Sequence, residues 1–137
     1  MKYLLSALFV CFAATLSFGQ LEKIFHQIFE VNEVQQINLD LYGDYEIAHW
    51  AAENIMAETR IELYNASASI LNHFMEKERR YHIESESDDQ TLLLRSHDKK
   101  RNAIKTKSGE CHEIVILKIF VPEKFSIENK KVLTRLN

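Results

Sequence analysis

Five cations crowd into nine residues: Lys99, Lys100, Arg101, Lys105 and Lys107. Basic side chains at that density suit an anion, such as a polysaccharide acid group, a lipid head group or a nucleic-acid phosphate. No aromatic residue interleaves them, so the base stacking used by single-stranded nucleic-acid binders is missing and no nucleic-acid partner is expected. The same residues also fit a solvated loop whose charge keeps a hairpin tip from pairing with other chains. His97 and the pair Cys111-His112 flank this loop. They offer three metal-binding groups, whereas structural zinc takes four ligands and catalytic zinc three plus water. No HExxH or CxxC spacing supports them. In a strand, Cys111 and His112 would point to opposite faces. His26, His49, His73 and His82 read as surface or edge residues, so no metal and no cofactor is expected. Glu58, Glu62, Glu84 and Glu86 fall on alternating positions, which is the pattern of a wet strand face and not of an acid and base flanking a cleft. With no GxSxG elbow and no cysteine in a nucleophile context, no catalytic residue is assigned and the chain reads as not an enzyme.

The elements that must carry these residues are mainly strands. In Val34 to Leu41, Ile37, Leu39 and Leu41 alternate with Gln36, Asn38 and Asp40. Tyr42-Gly43-Asp44 then makes a turn, and Tyr45, Ile47 and His49 resume the alternation, so a hairpin is expected. The longest alternation sets Ile55, Ala57, Thr59, Ile61 and Leu63 on one face and Glu58, Arg60 and Glu62 on the other, which fixes its register. Lys23 to Val31 precedes these as a first strand. From Ser67 to Glu78 the period changes: Ile70, Leu71, Phe74 and Met75 take helical spacing behind Ser67 as N-cap, predicting one short amphipathic helix over about 67–78. Strand character returns at Arg80, with Tyr81 and Ile83 inward, and again over Thr91 to Ser96. His97 to Glu110 reads as a long exposed hairpin loop. Cys111 to Val121 is apolar on both faces, so it is expected to lie centrally and be covered on both sides. Pro122 ends it. Phe125, Ile127, Val132 and Leu133 supply the last strand residues.

Length and composition bound the rest. The chain has 137 residues, 46% of them hydrophobic, with three Gly, one Pro and a net charge of −3. That is enough apolar material for one small core, and it excludes collagenous and low-complexity classes. Met1 to Gly19 reads as a secretory signal peptide: Lys2, then fourteen uncharged residues from Tyr3 to Leu16, then Ser17-Phe18-Gly19 before a cleavage at Gln20. Fourteen residues are too few to span a bilayer, so no transmembrane segment is expected in the mature chain. Cleavage would remove Cys11 and leave Cys111 alone, so no internal disulfide forms. Residues 20–137 are expected to form a single β-rich domain.

The order of features resembles a known family. A strand ending Phe29-Glu30-Val31 is followed by Val34-x-x-Ile37-x-Leu39, a Gly43-Asp44 turn, Tyr45-Glu46-Ile47 and Trp50. A long charged-faced strand, a short helix and Tyr81-x-Ile83 come next. The run Glu113-Ile114-Val115-Ile116-Leu117-Lys118-Ile119-Phe120-Val121-Pro122-Glu123 closes the pattern. Over about Phe25 to Ile127 this is similar to the amino-terminal part of the bacterial adhesin-domain family, a group named for a conjectured role. The resemblance implies a secreted or surface-associated protein with antiparallel and solenoid-like strands, here in shortened form. It implies no catalytic residue.

Together these readings predict an exported, periplasmic, cell-surface or secreted protein of mainly β structure. Its work would be non-enzymatic association at the cell envelope with a protein or polysaccharide partner, with oligomerisation through strand edges. The alternative is a small periplasmic ligand-binding or envelope-stress accessory protein, in which the helix bounds a pocket.

Overall fold

Apolar residues at every second position fold this chain into strands, and where that alternation lapses the chain turns or coils. A computed structural model describes residues 20–137. The expected leader, Met1–Gly19, lies outside the described residues. In chain order the strands are β1 (Leu21–Phe29), β2 (Gln36–Asp40), β3 (Tyr45–Trp50), β4 (Ile55–Tyr64), β5 (Ile83–Ser87), β6 (Thr91–Ser96), β7 (Lys105–Thr106), β8 (Gly109–Glu110), β9 (His112–Pro122), β10 (Phe125–Ser126) and β11 (Val132–Arg135). A short helix, α1 (Ala68–Asn72), follows β4 and widens into a π-helical turn over His73–Lys77. Among the described residues the fold is mainly β, 53% strand against 8% helical, with mixed sheets and no closed barrel.

One sheet has the order β1-β4-β9-β3 and the other β10-β11-β2-β6-β5, while β7 and β8 pair as a small separate hairpin. Most neighbours are antiparallel, but β2 runs parallel to β6 and β3 parallel to β9. The expected hairpin of β2 and β3 does not form, because the two strands lie in different sheets. Gly43, at φ 76°, takes a left-handed conformation in the turn between them. The physical reason is the core. Ile37 and Leu39 enter it from one sheet, Ile47 packs on it from the other, and each strand finds its parallel partner much later in the chain.

That core lies between the sheets and is built from Phe29, Ile55, Ala57, Leu117, Ile119 and Val121 on one side and Ile37, Leu39, Leu92, Leu94, Phe125 and Leu133 on the other. Each Val, Leu, Ile or Phe side chain so buried contributes about 1.5–3 kcal/mol. A second cluster joins Ile61, Leu63, Leu71, Tyr81, Ile104 and Cys111 beneath the helix. Ser67 caps α1, its Oγ accepting from the Ile70 N–H at 3.3 Å. Leu71 is buried and Ile70, Phe74 and Met75 pack beside it, as the helical spacing predicts.

Two further expectations are corrected. β9 is central in its sheet, between β4 and β3, yet only one face is covered. Ile114 and Ile116 remain 37% and 49% exposed on the other, because no layer of the described residues packs there. The segment His97–Glu110 is not a wholly exposed loop: Ile104 is buried in the second core and β7-β8 forms a short hairpin within it. Among the described residues no helix is long and apolar enough to cross a membrane.

Candidate functional site between the two cores

β4 serves both cores, as β1 and β9 do. Its inward residues Ile55 and Ala57 belong to the first, Ile61 and Leu63 to the second, and Thr59 falls between. Thr59 is 2% exposed and its Oγ1 has no hydrogen-bond partner. An unpaired hydroxyl at that depth costs about 1–3 kcal/mol, so it calls for something to bond to. What it faces is a cavity of about 220 Å³. Leu117 and Val115 of β9 wall one side, Ile83 and Ser96 of β5 and β6 another, and the loop residues Tyr42, Gly43, Asp44 and Arg101 its remaining rim. Tyr42, 44% exposed, stands at the opening with Gly43 and Asp44, which are exposed as well.

Charge gathers on the helix side of this cavity. Arg80 is 4% exposed. Its Nε and Nη2 donate to the two carboxylate oxygens of Glu113 at 3.0 and 3.1 Å, a fork-to-fork pair. The Tyr81 hydroxyl donates to the same carboxylate. Burial first, and the Glu113 bond second, push the Tyr81 pKa far above its ordinary value of 10, so Tyr81 stays a neutral donor. Asp98 lies 3.8 Å from the Arg80 Nη1. Burial works to raise the Asp98 pKa, but the backbone N–H groups of Arg101 and Lys100 hold it below the ordinary value.

Those N–H groups also shape the next residue. Asp98 Oδ1 accepts from Lys100 and Arg101, both at 3.0 Å, and Arg101 is bent into a left-handed conformation with φ 45°. Its guanidinium carbon lies 5.0 Å from the ring centres of both Tyr42 and Tyr81. Cation–π contact thus holds the side chain on two sides. Nε donates to the Asp98 carbonyl at 3.3 Å. Among the described residues, neither Nη atom has a hydrogen-bond partner and no carboxylate makes an ion pair with Arg101. Burial lowers its pKa, a shift that nearby Glu113 opposes. The cavity therefore holds an oriented guanidinium with spare donors and an orphaned hydroxyl.

The five cations of the basic cluster part company. Arg101 alone lines this cavity. Lys99 pairs with Asp40, and Lys100 is exposed. Lys105 and Lys107 lie at the β7-β8 hairpin, beside Ile70, His73 and Phe74 in an open depression next to the helix. His97 and His112 are not brought together: His97 bonds Glu84 at 2.7 Å, and His112 lies against Tyr64. Among the described residues, no group of three or more His, Cys, Asp or Glu is placed to hold a metal ion. Cys111 is buried and its Sγ contacts the Asn65 carbonyl at 3.2 Å. Burial raises its pKa, which suppresses thiolate chemistry.

Tyr42, Thr59, Tyr81, Ser96 and Glu113 were not candidate site residues from sequence. Thr59 carried the one usable signal, a hydroxyl on an otherwise aliphatic strand face. Comparison with family models, curated proteins and solved structures finds no match for this chain.

Proposed function

We propose that this chain is an exported, non-enzymatic binding protein that takes a small molecule in the cavity between its two cores. The observation that carries the reading is Thr59 Oγ1, buried and unpartnered, at the wall of a cavity also lined by Arg101. Small-molecule sites have this composition, apolar walls with a few placed polar groups. At about 220 Å³ the space is smaller than the 300–1,000 Å³ of drug-sized sites, which suits a compact ligand. The test is amide NMR during titration with acetate, lactate, benzoate, inorganic phosphate and glucose in turn. A member that shifts Tyr42–Asp44, Thr59 and Arg101 saturably, and fails to do so in Thr59→Leu, supports the reading. A panel that leaves those amides unmoved overturns it.

A second reading, association at the cell envelope in the manner of adhesin-type domains, draws on β1. This nine-residue strand lies at a sheet edge and exposes Ile24 and Ile28 by 47% and 57%. Long, partly apolar edges invite pairing with a second copy. The parallel pairs β2 with β6 and β3 with β9 favour the solenoid-like part of that reading. Light scattering tests it: a dimer that Ile24→Lys converts to monomer supports edge pairing, and a wild-type monomer at high concentration rejects it.

A further inference from the structure

Resting on the cavity reading above, we infer that the ligand is a small monocarboxylic acid bearing a second oxygen, held by Arg101 through its carboxylate and by Thr59 through that oxygen. Three observations narrow the class. The first is the donor geometry. Arg101 is held by two tyrosine rings and by its own loop, and its Nη donors are unspent. A guanidinium so fixed matches the two coplanar oxygens of a carboxylate and pairs with them bidentately.

The second is charge. Arg80 and Arg101 face Glu113 and Asp98, and Asp44 stands on the rim. These five charges already sum to slightly negative. A singly charged anion can be held by the local field of Arg101, whereas a phosphate approaching −2 would meet the carboxylates of Glu113 and Asp44. The third is depth. Ile83, Val115 and Leu117 form an apolar wall, and the only unpaired side-chain polar atom buried in the cavity lining is Thr59 Oγ1 among the described residues. A ligand with a hydroxyl or keto oxygen beside its carboxylate would satisfy that atom, and one with a methylene there would leave it orphaned.

The experiment measures affinity by NMR titration of the full chain with lactate, propionate, inorganic phosphate and glucose. Lactate is expected to bind with Kd on the order of 1 mM and propionate several-fold more weakly. Thr59→Val should bring the two together, because it deletes the hydroxyl and keeps the shape. Arg101→Gln should weaken both acids at least tenfold, with Arg101→Lys, which retains charge without the fork, intermediate. Thermal unfolding of each variant establishes that it is folded. If phosphate or glucose shifts the cavity amides and the acids do not, the carboxylate inference is overturned and the cavity reading stands. If lactate binds equally well to Thr59→Val, or to Arg101→Gln, the assigned contacts are overturned. If no probe moves the cavity amides, both readings fall.

Discussion

The two cores differ in what covers them. The first lies between sheets and is built from aliphatic and aromatic side chains, with Arg135 stacked on the Phe125 ring at 4.9 Å. The second lies between one sheet and a helix with its following loop, and it carries Arg80, Tyr81 and Glu113 at its border. A sheet satisfies its own backbone ladder and offers a continuous apolar face. A helix end and an irregular loop do not, and here the side chains of Glu113 and Asp98 meet the buried donors. The cavity falls where one kind of cover gives way to the other, opposite Thr59. The cavity and its polar lining therefore belong to the seam and to neither core by itself.

The first core is the more sensitive of the two to truncation. Phe125→Ala removes a fully buried ring from the first core and is expected to destabilise the fold by about 3–5 kcal/mol. The shift in the urea midpoint measures it. On the polar side, Glu113→Ala strands the Arg80 guanidinium, which is buried beside it. Removal of one partner of a buried pair costs about 3–5 kcal/mol, with this partly open pair at the lower end. The double variant Arg80→Met with Glu113→Leu should recover part of that loss, the Tyr81 hydroxyl being left without its acceptor, and a double variant as unstable as Glu113→Ala would show that the pair is more than a satisfied polar border.

Smaller effects sharpen the contrast. Ser67→Ala removes the cap of α1 and should cost about 1 kcal/mol. Hydrogen exchange should show the loss confined to the second core, with β2 and β6 protected as before. Acidification probes the same region. His82 packs against Phe25, and burial, with the charges of Arg79 and His97, lowers its pKa below 6.5, an effect that Glu84 opposes. The unfolded chain then binds more protons than the folded one between the folded pKa and about 6.5, so stability rises with pH across that window and is lost as pH falls through it. His82→Gln should flatten this dependence. An unchanged slope between about pH 7.5 and pH 5 would place its origin elsewhere.

Much of the fold was legible because burial on one strand face is a local pattern. The alternation through Ile55–Tyr64 fixes β4 with every second residue buried, and the change of period at Ser67 marks the helix. What was not legible depends on which sheet a strand joins. Val34–Leu41 and Tyr45–His49 carry the alternation of a hairpin whether they pair with each other or cross between sheets. Only the distant partners β6 and β9 decide it. The exposed face of β9 shows the same limit, since Ile114 and Ile116 look like core in sequence and find no covering layer among the described residues. Of the basic cluster, Arg101 could not be told from Lys99 or Lys100. Its difference arises from a bend at Asp98 and from Tyr42 and Tyr81, residues far apart along the chain.

The late position of β9 has a consequence for how the chain reaches this state. β3 lies at a sheet edge and pairs only with β9, about seventy residues downstream, and β4 needs the same strand on its second side. Until residue 122 is available, neither strand can complete its ladder. Such long-range closure costs loop entropy before any contact repays it, so folding is expected on the slow, millisecond-to-second scale of high-contact-order β proteins. A chain built this way can pair β1 with β4 early but cannot close that sheet until β9 is made, and the bare edges of β3 and β4 are expected to need shielding during that interval.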